Sequence, residues 1–128
     1  MEYKTPEELK YTKEHEWIKI DGDSVTIGIT DFAQSQLGDI VFVELPEVGT
    51  NMEVGAPFGV VESIKSVSDL YAPVTGEVVE ANAELEGSPD QCNSDPYGAW
   101  MIKVKCSDPS QLEGLLGVQD YIPLCQEN

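Results

Sequence analysis

The 128-residue chain has no arginine and only seven lysines, set against 24 acidic residues. A net charge of −17 repels phosphate backbones and anionic headgroups, and no guanidinium fork is present to read a base. Nucleic acid and anionic membrane are therefore excluded as partners. Histidine occurs once, at His15. The three cysteines, Cys92, Cys106 and Cys125, form no Cys-x-x-Cys pair. That argues against a zinc ribbon and a disulfide framework, and a transition metal finds too few soft ligands. A reducing compartment is the simpler expectation. No apolar run approaches the ~20 residues of a membrane-spanning helix. The first residues, MEYKTPEELK, lack the apolar stretch of a secretory signal and the arginines of a transit peptide. Neither GxGxxG nor GxxxxGK[ST] occurs. One histidine and scattered cysteines assemble no nucleophile–base pair, so no catalytic activity of its own is expected.

What the chain does have is hydrophobic residues, at 41%, enough for one modest core in a single domain spanning 1–128. Short strands dominate. EWIKI (16–20) precedes a turn at 21–23, and SVTIGIT (24–30) alternates with Val25, Ile27 and Ile29 on one face. IVFVEL (40–45), FGVVESIK (58–65), SVSDLYAP (66–73), GEVVEAN (76–82) and WMIKVKC (100–106) continue the pattern. Trp17, Trp100, Val41, Val43, Ile102 and Val104 join the alternating residues as the expected core. Helices are expected over 30–38, with a Thr or Asp cap and a closing Gly, and over 107–117, with Asp108 as cap and Pro109 in the first turn. A further turn or two is expected over 118–125, as part of a helical tail at 107–128. The fold class is mainly β, a barrel or sandwich with short peripheral helices.

Lys65 stands out. Between Asp21 and Ile102 it is the sole basic residue among 15 acidic ones. Gly59-Val60-Val61-Glu62 is echoed by Gly76-Glu77-Val78-Val79-Glu80, as in two similar strands flanking a tip, with Lys65 between them. The residues leave several chemistries open. A Schiff-base lysine lacks a phosphate cradle here. A lowered-pKa amine lacks an apolar pocket or a neighbouring cation. An exposed amine on a rigid tip suits enzymatic acylation. The plainest alternative is a surface lysine paired with Glu62 or Asp69.

VESIKSVSDLYAP resembles the lipoylation site of the glycine cleavage system H proteins, with Glu62, Ser63, Ile64, Lys65, Ser68, Asp69, Tyr71 and Pro73 matching that pattern. EHEWIKI (14–20), TIGITDFAQSQLGDIVFVELPEVG (26–49), TGEVVEAN (75–82), NSDPYG (93–98) and WMIKVK (100–105) extend the resemblance from about Tyr11 to about Gly117. Biotin carriers set Met on both sides of the lysine and other lipoyl domains carry Asp-Lys-Ala; Ile64-Lys65-Ser66 fits neither. The resemblance implies a barrel-sandwich hybrid of the lipoyl/biotinyl hammerhead type. It implies a non-catalytic, monomeric carrier with lipoate covalently attached to Lys65. Such a carrier takes the aminomethyl group of glycine from the pyridoxal-phosphate-dependent glycine decarboxylase to the tetrahydrofolate-dependent aminomethyltransferase. Dihydrolipoamide dehydrogenase then reoxidises the dithiol.

By the same resemblance Glu62 helps the lipoylating enzyme recognise the tip. Glu16 and Asp69 hold the loaded amine in a cleft, with a solvated strand carboxylate as the alternative for Glu16. A lipoyl relay serving other lipoyl domains is the alternative function. The implied location is a bacterial cytoplasm, or the mitochondrial matrix for a processed eukaryotic form. His15 is expected to be structural, and so is the Asn93–Tyr97 turn, although Asn93 or Tyr97 has access to the arm's resting site in the same picture. Two departures from the family pattern bear on recognition and loop geometry: Ser66-Val67 replaces Ala-Ala, and only Ala99 separates Gly98 from Trp100.

Overall fold

A computed structural model describes residues 3–125. Its strands, in chain order, are β1 (Lys10–Tyr11), β2 (Glu16–Asp21), β3 (Ser24–Ile29), β4 (Ile40–Glu44), β5 (Asn51–Met52), β6 (Pro57–Ser63), β7 (Val67–Tyr71), β8 (Gly76–Ala81) and β9 (Ile102–Cys106). They form a six-stranded sheet of order β1-β2-β3-β9-β8-β5 and a three-stranded sheet of order β4-β6-β7. Every pairing is antiparallel. The protein is thus mainly β, as its alternating apolar pattern predicts.

The alternation explains the sheets. Val25 and Ile27 of β3 are buried while Ser24 and Thr26 between them are half-buried. They pack with Ile18, Val78, Ile102 and Val104 from the neighbouring strands. Gly22, at φ +66°, makes the β2–β3 turn that Asp21 and Asp23 announce. A second cluster, with Ile40, Val43, Val61, Leu70, Leu85 and Met101, fills the space behind the small sheet.

Helix α1 (Asp31–Leu37) follows β3 directly. The Thr30 hydroxyl caps it by accepting from Ala33 N at 3.2 Å. Gly38, at φ +80°, ends it and turns the chain into β4. Two further helical turns, α2 (Ala83–Gly87) and α3 (Gln91–Ser94), link β8 to β9. Helix α4 (Val118–Tyr121) brings Tyr121 into the core, stacked on Tyr11 with ring centroids 4.5 Å apart.

Three expectations are corrected. Val41 is 54% exposed, because a bulge between Ile40 and Phe42 shifts the strand's phase so that Ile40 and Val43 face inward instead. Trp100 is only half-buried: pairing with β3 starts at Ile102, opposite Ile27, and Trp100 lies ahead of the strand, with Lys103 Nζ over its ring at 4.9 Å. The expected 107–117 helix is a tighter 3-10 helix over Pro109–Gly114, though Asp108 does cap it, accepting from Ser110 N. The turn or two expected over 118–125 is present, as α4 followed by a 3-10 turn, Ile122–Leu124, that accommodates Pro123. The end of the expected tail, 126–128, lies outside the described residues.

Candidate functional site

β6 and β7 form a hairpin whose last paired residues are Glu62 and Val67. Between them runs Ser63-Ile64-Lys65-Ser66, without the Asn-Gly or Asp-Gly chemistry of common tight turns. Ser63 supplies what is missing. Its hydroxyl accepts from Lys65 N and from Ser66 N, each at 3.1 Å, while Ser63 N donates to Ser66 O at 2.8 Å. Ile64 N donates to Asp39 O at 3.1 Å, tying the tip to the corner between α1 and β4.

That corner is itself braced. Asn93 Oδ1 accepts from Ile40 N at 2.8 Å, and its Nδ2 donates to Gly38 O at 2.8 Å and Gln34 Oε1 at 3.0 Å. The Lys65 stem lies across Gly38: a Cβ on that glycine would sit 3.3 Å from Lys65 Cε. Lys65 is exposed. Among the described residues the ion pair within 4 Å is Lys103–Glu80, so neither Glu62 nor Asp69 claims Lys65.

Beside the hairpin is a groove of about 170 Å³. Ile29, Phe32, Leu37, Val61 and Leu70 make it apolar, and Asp69, Glu14 and His15 are polar residues on its wall. On the far side of Glu14 lies a larger hollow of about 670 Å³, lined by Tyr11, Glu16, Val54, Tyr71, Gln111 and Leu115 among others. Glu14 borders both. The sequence gives Glu14 no role and names Ser63 only within the family pattern; the clue to its part in the turn is a short polar residue two positions before an exposed lysine.

Glu62 therefore sits next to the lysine turn, Asp69 lines the groove, and Glu16 lines the larger hollow. Glu16 and Asp69 do not share a cavity. They are nonetheless linked through β7, because Glu16 Oε2 accepts from Tyr71 N at 2.8 Å, two residues beyond Asp69. Glu16 is only 2% exposed, so it is not a solvated strand carboxylate. Burial pushes its carboxyl up to about 8, with Glu14 adding to the rise and the hydrogen bonds from Tyr71 and Thr12 opposing it.

His15 adopts φ +67° and packs on Phe32, with ring centroids 4.6 Å apart. Its Nδ1 is 2.9 Å from Tyr121 Oη, which also bonds Thr30 Oγ1 at 2.7 Å. Burial lowers the His15 pKa, with Glu14 opposing it, and the ring knits the C-terminal segment to the cap of α1. Tyr97 is likewise bound to the fold, donating to Lys4 O and accepting from Asp31 N. Among the described residues no three His, Cys, Asp or Glu side chains gather as a metal site. No helix there is long and apolar enough to cross a membrane.

The arrangement presents an exposed amine on a braced turn. The chain as a whole resembles known proteins. The sequence model described as "Glycine cleavage H-protein" matches residues 9–128. A glycine cleavage system H protein of Halalkalibacterium halodurans is 60% identical over 123 residues, covering 95% of this chain and 96% of that protein. One from Staphylococcus carnosus is 62% identical over 117 residues, covering 91% and 93%. The crystal structure of a glycine cleavage system H protein from Mycobacterium marinum superposes with a TM-score of 0.84 at 41% identity, covering 93% of this chain and 97% of that one.

Proposed function

The chain belongs to the glycine cleavage H-protein family, and we propose that Lys65 is where it bears its lipoyl arm. It is a carrier of the glycine cleavage system. The observation that supports Lys65 is its unpaired, exposed amine on a turn held from three sides, beside a groove whose apolar walls suit an aliphatic chain. Once attached, lipoate supplies a dithiolane that accepts an aminomethyl group and is reduced in doing so. All other work of the chain is presentation and protection. Ser63 and Gly38 fix the direction in which the lysine leaves the surface.

The groove residues Ile29, Phe32 and Leu70 exclude water from whatever lies against them. Asp69 is the carboxylate that meets an ammonium there. Glu16 acts differently, because below about pH 8 it holds a proton. To pair with an ammonium it must first give that proton up, so a cation near Tyr71 displaces a proton from Glu16. Glu62 marks the tip for the lipoylating enzyme. Glycine decarboxylase, aminomethyltransferase and dihydrolipoamide dehydrogenase are the partners this reading requires. The chain then contributes no catalytic group, and the bacterial cytoplasm is its place of work.

Intact and peptide mass spectrometry of the native protein tests the attachment. The expected result is a lipoyl amide on Lys65 and none after Lys65→Arg. An unmodified Lys65 in cells that lipoylate other proteins overturns it. Glycine-dependent reduction of the lipoylated chain by glycine decarboxylase separates a carrier from a relay.

A further inference from the structure

The outer face of the small sheet beside Lys65 is unusually apolar for a chain of this charge. Phe42 and Val67 stand in one row across the three strands, with Glu62 between them. Phe42 is 42% exposed, Val67 64%, and Ile64 in the turn 69%, while the bulged Val41 adds to the same corner. Directly opposed residues on one face lie about 5 Å apart, so Phe42, Glu62 and Val67 form one strip, apolar at both ends with a carboxylate in its middle. Asp39 and Glu44 stand around it, and neither they nor Glu62 is in an ion pair among the described residues. Exposed apolar side chains cost solubility and persist where a partner covers them.

Building on the attachment reading, we infer that Phe42, Ile64 and Val67 form the landing surface for the enzyme that acylates Lys65, a partner with an apolar socket rimmed by Lys or Arg. The chemistry selects this occupant. Acylation happens at Nζ, at the end of a four-carbon stem, so that enzyme must close over the tip itself. Enzymes that act on the far end of an attached arm stand further off. In the step, the deprotonated Nζ attacks the carbonyl carbon of an acyl adenylate made from lipoate and ATP. The N–C amide bond forms, the bond to AMP breaks, the amine's second proton goes to solvent, and nothing is oxidised or reduced. The unpaired carboxylates speed encounter with a basic rim, and the strip supplies the contact that survives salt.

The test uses the unmodified chain with a lipoate-attaching enzyme, lipoic acid and ATP. The variants are Phe42→Ser, Val67→Ser and their double, with Val67→Thr as a shape-preserving partner should Val67→Ser lower stability. The expected result is a rise in KM for the carrier on the order of ten-fold for the double variant, as at an interface hot spot. The same variants, driven to full lipoylation, should be reoxidised by dihydrolipoamide dehydrogenase and NAD within about two-fold of wild type. Unchanged lipoylation overturns the inference. So does equal loss in both assays, which would assign the strip to every partner. A dimer of the unmodified chain that Phe42→Ser dissolves would assign it to a second copy and overturn it too. A wild-type chain that takes no lipoate while a control lipoyl domain does would sink the attachment reading itself.

Discussion

Replacing Glu16 by Gln should make the protein more stable at pH 8 and leave it nearly unchanged at pH 4.5. Glu16 is 2% exposed, and no cation lies within ion-pair distance of it among the described residues. Its folded pKa, about 8, stands above the ordinary 4.5, with burial as the main cause. The sign follows from proton counts. Between those values the folded state holds a proton that the unfolded chain releases, so unfolding becomes easier as pH rises. Glu16's contribution is fully favourable below the unfolded pKa, declines through the window, and is flat above the folded pKa. At about 1.36 kcal/mol per pH unit, the span from 4.5 to about 8 is worth about 5 kcal/mol. Gln keeps the shape, keeps an oxygen for Tyr71 N and carries no charge to desolvate. Urea unfolding of both proteins at pH 4.5, 6.5 and 8 isolates the effect, since the difference between them cancels every other titrating group. We expect a gap that widens from near zero to several kcal/mol in favour of Gln. A gap independent of pH, or a Gln variant less stable at pH 8, would refute the burial argument.

Ser63→Ala removes the hydroxyl that accepts from Lys65 N and Ser66 N. It should cost about 1 kcal/mol in urea unfolding and slow lipoylation of Lys65, read by intact mass against time. Gly38→Ala forces a Cβ into a φ of +80° and to 3.3 Å from Lys65 Cε. With ψ at −157° the backbone sits in a region open essentially to Gly, so about 1–3 kcal/mol of lost stability is expected from the backbone alone, together with a changed lipoylation rate. Gly28→Ala would set a Cβ 2.6 Å from the Trp17 indole, which donates to Pro96 O at 3.0 Å. Overpacking plus a broken buried hydrogen bond should cost about 2–4 kcal/mol, with a red shift of tryptophan emission as Trp17 moves.

The strands were legible because one face of each must be apolar, and the alternation of Val25 and Ile27, or of Ile102 and Val104, records that demand. Val41 was misread because a bulge leaves no trace in the alternation: Val41 and Val43 look equivalent in the sequence. β1 and β5 are two residues each and carry no period to detect. Helices α2 and α3 are single turns whose apolar content is one buried residue apiece, Leu85 and Cys92. Lys65 stood out through its isolation in charge and through family resemblance, whereas the hairpin turn that carries it was nearly invisible. A side-chain hydroxyl makes the turn in place of Gly or Pro, and that depends on geometry that residue types do not reveal. The burial of Glu16 was equally hidden, since a glutamate opening a strand reads as solvated until the neighbouring backbone at Tyr71 is seen to bind it.

The lone lysine and the acidic surface belong to one design. An amine destined for acylation must be free and must lose a proton, and an adjacent carboxylate would oppose both by holding it as an ammonium. In so acidic a chain such pairing is the default, yet among the described residues no carboxylate lies within ion-pair distance of Lys65. Glu62 projects from the strand row between Phe42 and Val67, and Asp69 borders the groove. The Lys65 stem is meanwhile laid over a glycine, where no side chain competes for the space. The proposed acylation of Lys65 would remove the one positive charge from the region between Asp21 and Ile102 and take the formal charge from −17 to −18. The charges left around the modified tip would then all be negative, so an enzyme with a basic rim gains attraction once the modification is in place. Carrier recognition should therefore weaken with added salt, more steeply for the lipoylated chain than for the unmodified one.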